Sequence, residues 1–96
     1  MIYSNNEDVY DVAAFCYNKL KLTRNVSIEV KPLEVDGYCY TNSFIEISDT
    51  LKGIEFYTTI CHELVHCAQY ERCGNANEEE AYRLEKELYE SWREVC

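Results

Sequence analysis

Thr58-Thr59-Ile60-Cys61-His62-Glu63-Leu64-Val65-His66-Cys67-Ala68-Gln69-Tyr70 is the stretch from which the fold is read. Four residues of an α-helix turn through about 400°, so His62 and His66 stand on one face a turn apart, where two imidazoles can grip a single metal ion. Glu63 lies about 100° round from His62, and its carboxylate can take a proton from water at such an ion without being a ligand. The other positions from Thr58 to Ala68 are uncharged, although the chain as a whole is 28% charged. A helix with so dry a surround is expected in the interior. The chain has 2 histidines and both fall at ligand spacing, which makes zinc the expected cofactor.

Around this stretch, Ile54, Tyr57, Cys61, Leu64, Val65 and Ala68 recur at helical intervals, predicting a helix from about Ile54 to Arg72. Ser48-Asp49-Thr50 offers capping oxygens before it and Gly74 a stop behind it. Asn77 followed by Glu80 has capping spacing, so a last helix is expected from about residue 77 to 94, with Ala81, Leu84, Leu88, Trp92 and Val95 inward. Upstream, Asp36-Gly37 marks a turn, and Tyr38-Cys39-Tyr40 and Ser43 to Ile47 flank Thr41-Asn42 as a hairpin. Val26, Ile28 and Val30 alternate with polar residues as a half-buried strand that Pro32 ends. Ser4-x-x-Glu7 has capping-box spacing and precedes Val9, Val12, Ala13, Cys16 and Leu20, predicting a first helix from about residue 6 to 22. The expected class is α+β: an N-terminal helix, a small twisted sheet of about three strands, then a metal-bearing helix pair, all in one domain spanning residues 1–96.

Composition narrows the partners. A formal charge of −9 repels phosphate backbones and anionic headgroups, so nucleic acid and membrane surfaces are not expected. No apolar run approaches the roughly 18 residues of a membrane span, and Met1 to Asp8 has neither a basic region nor an apolar stretch. The expected location is cytoplasmic, and there the six cysteines would be reduced thiols packed as small apolar side chains. No C-x-x-C pair is present, and nothing in the pattern speaks to oligomeric state.

A catalytic zinc site wants a third protein ligand and an open position. There is no third histidine and no aspartate after Asp49, which leaves glutamate or cysteine. Glu78, Glu79, Glu80 and Glu85 on the last helix are candidates, as is Cys73. A straight helix to Arg72 rises about 9 Å beyond His66, which would bring the returning helix level with His66 near residue 84 or 85 and favours Glu85.

His62-Glu63-Leu64-Val65-His66 with Glu78-Glu79-Glu80-Ala81-Tyr82 resembles the gluzincin zinc metallopeptidases, in which the His-Glu-x-x-His helix is followed by a glutamate ligand opening an E-x-x-A or E-x-E-A pattern. The run through Gln69-Tyr70 also looks like small bacterial or phage-type members of that class. The resemblance covers about residues 38 to 85. It implies a zincin-like fold with His62, His66 and Glu78 as zinc ligands and Glu63 as general base. A tyrosine, Tyr82 or Tyr40, would donate to the oxyanion. The implied activity is hydrolysis of peptide bonds in a peptide or protein substrate aligned along the Thr41 to Ile47 edge. The alternative is a non-enzymatic zinc-binding regulatory or interaction module that retains the site as scaffold.

Overall fold

The computed structural model describes residues 1–95. In chain order it contains β1 (Ile2–Ser4), a 3-10 turn (Glu7–Val9) running into α1 (Tyr10–Lys19), β2 (Val26–Lys31), β3 (Gly37–Cys39), β4 (Phe44–Ser48), α2 (Ile54–Arg72) and α3 (Glu78–Val95). The architecture is α+β, with three helices and a mixed sheet of four strands in the order β1-β2-β4-β3. β1 and β4 both run parallel to β2, with Ile2 opposite Val26 and Ile28 opposite Ile45. β3 closes one side antiparallel to β4, with Cys39 opposite Ile45. No helix is long and apolar enough to cross a membrane among the described residues.

The fourth strand corrects the expected count of about three. Ile2-Tyr3-Ser4 is too short to display an alternation. Tertiary pairing places it, through the register on β2 and the Val26 N–H donating to the Met1 carbonyl at 2.9 Å. With Ser4 in a strand, Asn6 becomes the cap of the first helical segment, its side chain accepting from the Asp8 N–H at 2.9 Å. That helix is shorter than expected, ending at Lys19.

One face of the sheet is dry and the other wet. Val26, Ile28, Ile45 and Ile47 are buried, while Glu29, Lys31 and Glu46 stand opposite and form ion pairs at 3.6 and 3.3 Å. Against the dry face, α2 packs with α1 and α3 around it, and residues 60–69 of α2 are buried without interruption. A helix buried all round sits at the centre of a core, as the uncharged positions about the motif foretold. α2 begins not at Ser48-Asp49-Thr50 but after Gly53, which has φ +60°. The Ser48 and Thr50 hydroxyls bond to each other instead, at 2.8 Å. On α3, Ala81, Leu88 and Trp92 are buried as expected, but Val95 is 69% exposed, since it lies at the helix's last turn beyond the reach of α2.

Sulfur helps to seat α2. Cys61 Sγ lies 3.4 Å from Cys16 Sγ on α1, and Cys67 Sγ lies 3.1 Å from Cys39 Sγ on β3, all four side chains being buried. The hydrogen bonds to Cys67 and Cys16, with burial, push the Cys39 and Cys61 thiols well above their ordinary range. Such thiols are poor nucleophiles. Cys73 is exposed, and Cys96 lies outside the described residues. In native protein carrying Cys96→Ser, a thiol reagent should therefore modify Cys73 rapidly and the other four only on denaturation. Rapid labelling of Cys39 or Cys61, read by mass of the digested peptides, would contradict this packing.

Candidate metal centre

The two histidines stand on α2 as their spacing requires, ring centroids 4.8 Å apart and nearly perpendicular, His62 8% and His66 6% exposed. Each ring is held by its Nδ1. His62 Nδ1 donates to Glu85 Oε1 at 2.8 Å, and His66 Nδ1 donates to Gln69 Oε1 at 2.8 Å. The orientation of the Gln69 amide is itself fixed. Its Oε1 also accepts from the Asn77 backbone N–H, which can only donate, and its Nε2 donates to the Asn77 carbonyl and to Glu80 Oε1. Both Nδ1 atoms therefore carry the proton.

In the neutral rings this leaves bare lone pairs on both Nε2 atoms. They point at one place, for Glu78 Oε1 lies 2.9 Å from His62 Nε2 and 3.0 Å from His66 Nε2. Three electron-rich atoms within 4.8 Å of one another call for positive charge between them, and two imidazoles with one carboxylate are a donor set suited to a divalent transition metal. The group His62, His66 and Glu78 can hold a metal ion. When no ion is present and the rings are protonated, burial works to raise the Glu78 carboxyl, but the positive charge of His66 and hydrogen bonds from both imidazolium rings outweigh it and hold it below the usual carboxylate range.

Glu78 and Glu85 turn out not to be rivals for one place. α2 does run straight to Arg72, yet Glu78 reaches both histidines. The rise argument treated the return as helix throughout, whereas residues 73–77 are not helical and extended chain covers about 3.3 Å per residue, enough to recover the overshoot within the loop. Gly74, at φ +75°, makes the reversal, and the Cys73 and Gly74 N–H groups both donate to the Gln69 carbonyl. Glu85, two turns further along α3, meets the opposite nitrogen of His62 and orients the ring from behind. Glu80 is taken by Gln69, while Cys73 and Glu79 are exposed and have no hydrogen bond to the cluster. Sequence reasoning assigned no role to Gln69; its place three residues after His66, on the same side of the helix, was the available signal.

Glu63 is 6% exposed and its carboxylate has no hydrogen-bond partner among the described residues. Burial pushes it up to about 7; His66 pulls the other way, and the carboxylates of Glu78 and Glu85 add to the rise. The room for this side chain comes from Gly37, the first residue of β3. A Cβ there would stand 3.1 Å from Glu63 Oε2, 3.0 Å from Thr59 Cγ2 and 3.2 Å from the Glu46 carbonyl oxygen. Two clefts open beside the cluster, and Gly37, Glu63 and Glu78 line both. The larger, about 620 Å³, also has Asp36, Glu55, His62, Tyr82 and Glu85 on its wall. The smaller, about 220 Å³, has Tyr38, His66 and Tyr70.

The two tyrosines separate. The Tyr82 ring lies 4.7 Å from the His62 ring and borders the larger cleft, its hydroxyl unbonded among the described residues. Tyr40 lines neither cleft and donates to Glu46 Oε1 at 2.9 Å, because it belongs to the stack of Tyr38, Tyr40 and Phe44 on the hairpin. The Thr41 to Ile47 segment cannot offer a free edge either, since β4 is paired on both sides; the terminal strand on the side of the clefts is β3.

Removing Glu78 should raise the zinc dissociation constant by orders of magnitude, measured by competition with a chromogenic chelator. Glu85→Gln and Gln69→Leu should each cost roughly 10–100-fold by releasing a ring from behind, and Glu79→Ala and Glu87→Ala should be silent. An equal loss in Glu85→Gln and Glu78→Ala would mean that Glu85 ligates directly. Gly37→Ala should destabilise the fold by about 1–3 kcal/mol in denaturant titrations, as overpacking does, and an unchanged midpoint would show that Glu63 does not fill that space. Comparison with protein-family models, with curated proteins and with solved structures gives no match.

Proposed function

We propose that the chain is a zinc-dependent peptidase of the gluzincin type. The observation that carries this reading is the pairing of a converging His62, His66 and Glu78 donor set with a buried carboxylate, Glu63, that neither joins the set nor has a hydrogen-bond partner among the described residues. A site kept for structure alone has no use for an unpartnered buried carboxylate, which costs stability wherever it is ionised. A general base has that use, and an environment that raises its proton affinity suits it.

In this reading His62, His66 and Glu78 would hold the ion, with Glu85 and Gln69 fixing the rings. Zinc supplies, when bound, a Lewis acid that polarises a peptide carbonyl and acidifies water. Glu63 accepts the proton of the attacking water and returns it to the departing amine. Tyr82, bordering the same cleft, is the donor placed to meet the developing oxyanion. The substrate lies extended along β3, the terminal strand that borders the clefts, passing Glu63 at Gly37.

Protein purified without chelator should contain one zinc per chain, and iron in its place would point to the oxygen chemistry that two histidines and a carboxylate also serve. Glu63→Gln should keep the zinc and lose on the order of 10²–10⁴-fold in peptide hydrolysis. Zinc-loaded wild-type protein without turnover on any peptide would sink the peptidase reading in favour of a non-enzymatic zinc module. Unchanged turnover in Glu63→Gln would sink the assignment of the base.

A further inference from the structure

The larger cleft is charged in one sense only. Among its lining residues are Asp36, Glu55, Glu63, Glu78 and Glu85, and no lysine or arginine. Glu78 and Glu85 are committed to the histidines. Asp36 and Glu55 are not, for neither takes part in an ion pair or accepts a side-chain hydrogen bond among the described residues. The two come from different elements, Asp36 just before β3 and Glu55 in the first turn of α2, and line the same cleft. The buried Glu63 carboxylate, which has no hydrogen-bond partner among the described residues, lines this cleft as well as the smaller one and adds to its negative character.

The smaller cleft on the other side of Glu63 is of opposite character. It is lined by Tyr38, Cys39, Tyr70 and Ala76 together with Glu63, His66 and Glu78. β3 starts beside the acidic cleft at Gly37 and runs past the aromatic one at Tyr38 and Cys39. Chain laid along this strand thus has an acidic wall before the reacting centre and an aromatic wall after it.

We infer that the ligand of this surface is an extended peptide with a lysine or arginine side chain in the cleft between Asp36 and Glu55. The inference rests on the peptidase reading for the direction of the chemistry, but the charge complementarity stands without it. A cationic side chain restores the opposite charge that the wall lacks, and its aliphatic stem can lie along the methyl groups of Thr58 and Thr59. An acidic side chain would meet only like charge there. The net charge of −9 draws any basic peptide towards the molecule, while the two cleft carboxylates select where its cation settles.

The test uses zinc-loaded wild-type protein and short unstructured labelled peptides, identical except for one central lysine, alanine or glutamate. Binding is followed by fluorescence anisotropy and cleavage in parallel. The lysine peptide should bind about tenfold more tightly than the glutamate peptide at low salt, with the ratio falling as salt is raised. The Asp36→Asn, Glu55→Gln double variant should bring the ratio close to one. Both positions are exposed, so its far-UV circular dichroism should match wild type. Lysine and glutamate peptides binding equally, no binding of any peptide, or a preference that survives in the double variant would each overturn the inference; survival in the variant would assign the preference to overall charge. Selective binding without cleavage would leave the inference standing and remove the peptidase reading. Cleavage without selectivity would do the reverse.

Discussion

One amide holds the centre together. Gln69 uses both hydrogen-bonding ends of its side chain, accepting from His66 and from the Asn77 backbone and donating to the Asn77 carbonyl and to Glu80. Its own carbonyl meanwhile takes the N–H groups of Cys73 and Gly74 where α2 ends. A single residue thus sets the protonation of an imidazole, stops one helix and starts the next. Because α3 opens at Glu78, directly after the segment that Gln69 holds, the position of the Glu78 carboxylate is a consequence of the same bonds. Burial makes the arrangement stringent, since at 6% exposure an unmade bond at this amide could not be replaced by water.

The cost of the site is carried by α2. His62, Glu63, His66 and Gln69 are polar groups in a segment whose every residue from 60 to 69 is buried. Three of the four find partners across α3 or the loop before it, and each bond ties α2 to the element that faces it. Glu63 alone does not. The surrounding apolar residues, Ile60, Leu64 and Val65 among them, anchor the helix to the sheet and to α1 strongly enough for that one unpaired carboxylate to be tolerated. Apolar packing and the polar cluster are therefore divided between faces of one helix.

Much of this was legible in the residues. The 3.6-residue period of the apolar positions located α2 and α3 to within a residue or two, the two-residue period located β2, and turn residues located the hairpin. The spacing of the histidine pair put both rings on one face of α2 but left their carboxylate partner open, and Asn77 with Glu80 marked the start of α3, where the Glu80 N–H donates to Asn77 Oδ1 at 3.1 Å. What could not be read was what depends on distant chain. β1 has too few residues for a period and exists because β2 offers it an edge. Gly37 read as a turn signal, and only the approach of Glu63 from α2 gives its missing side chain a purpose. The competition between Glu78 and Glu85 looked exclusive because helix arithmetic cannot describe a loop. An imidazole has two nitrogens, and the fold uses both carboxylates on the same ring.

The three metal-facing donors differ in how firmly they are held. His62 and His66 project from the middle of a buried helix, whereas Glu78 is the first residue of α3 and its side chain is 67% exposed. Helix ends open far more often than helix centres, on timescales well short of global unfolding. An ion in this site would accordingly be bound in two stages with separate clocks. Its affinity would draw on all three ligands, but its dwell time would be set by the opening of a single helical turn, so that exchange with the surroundings could proceed while the rest of the molecule stays folded.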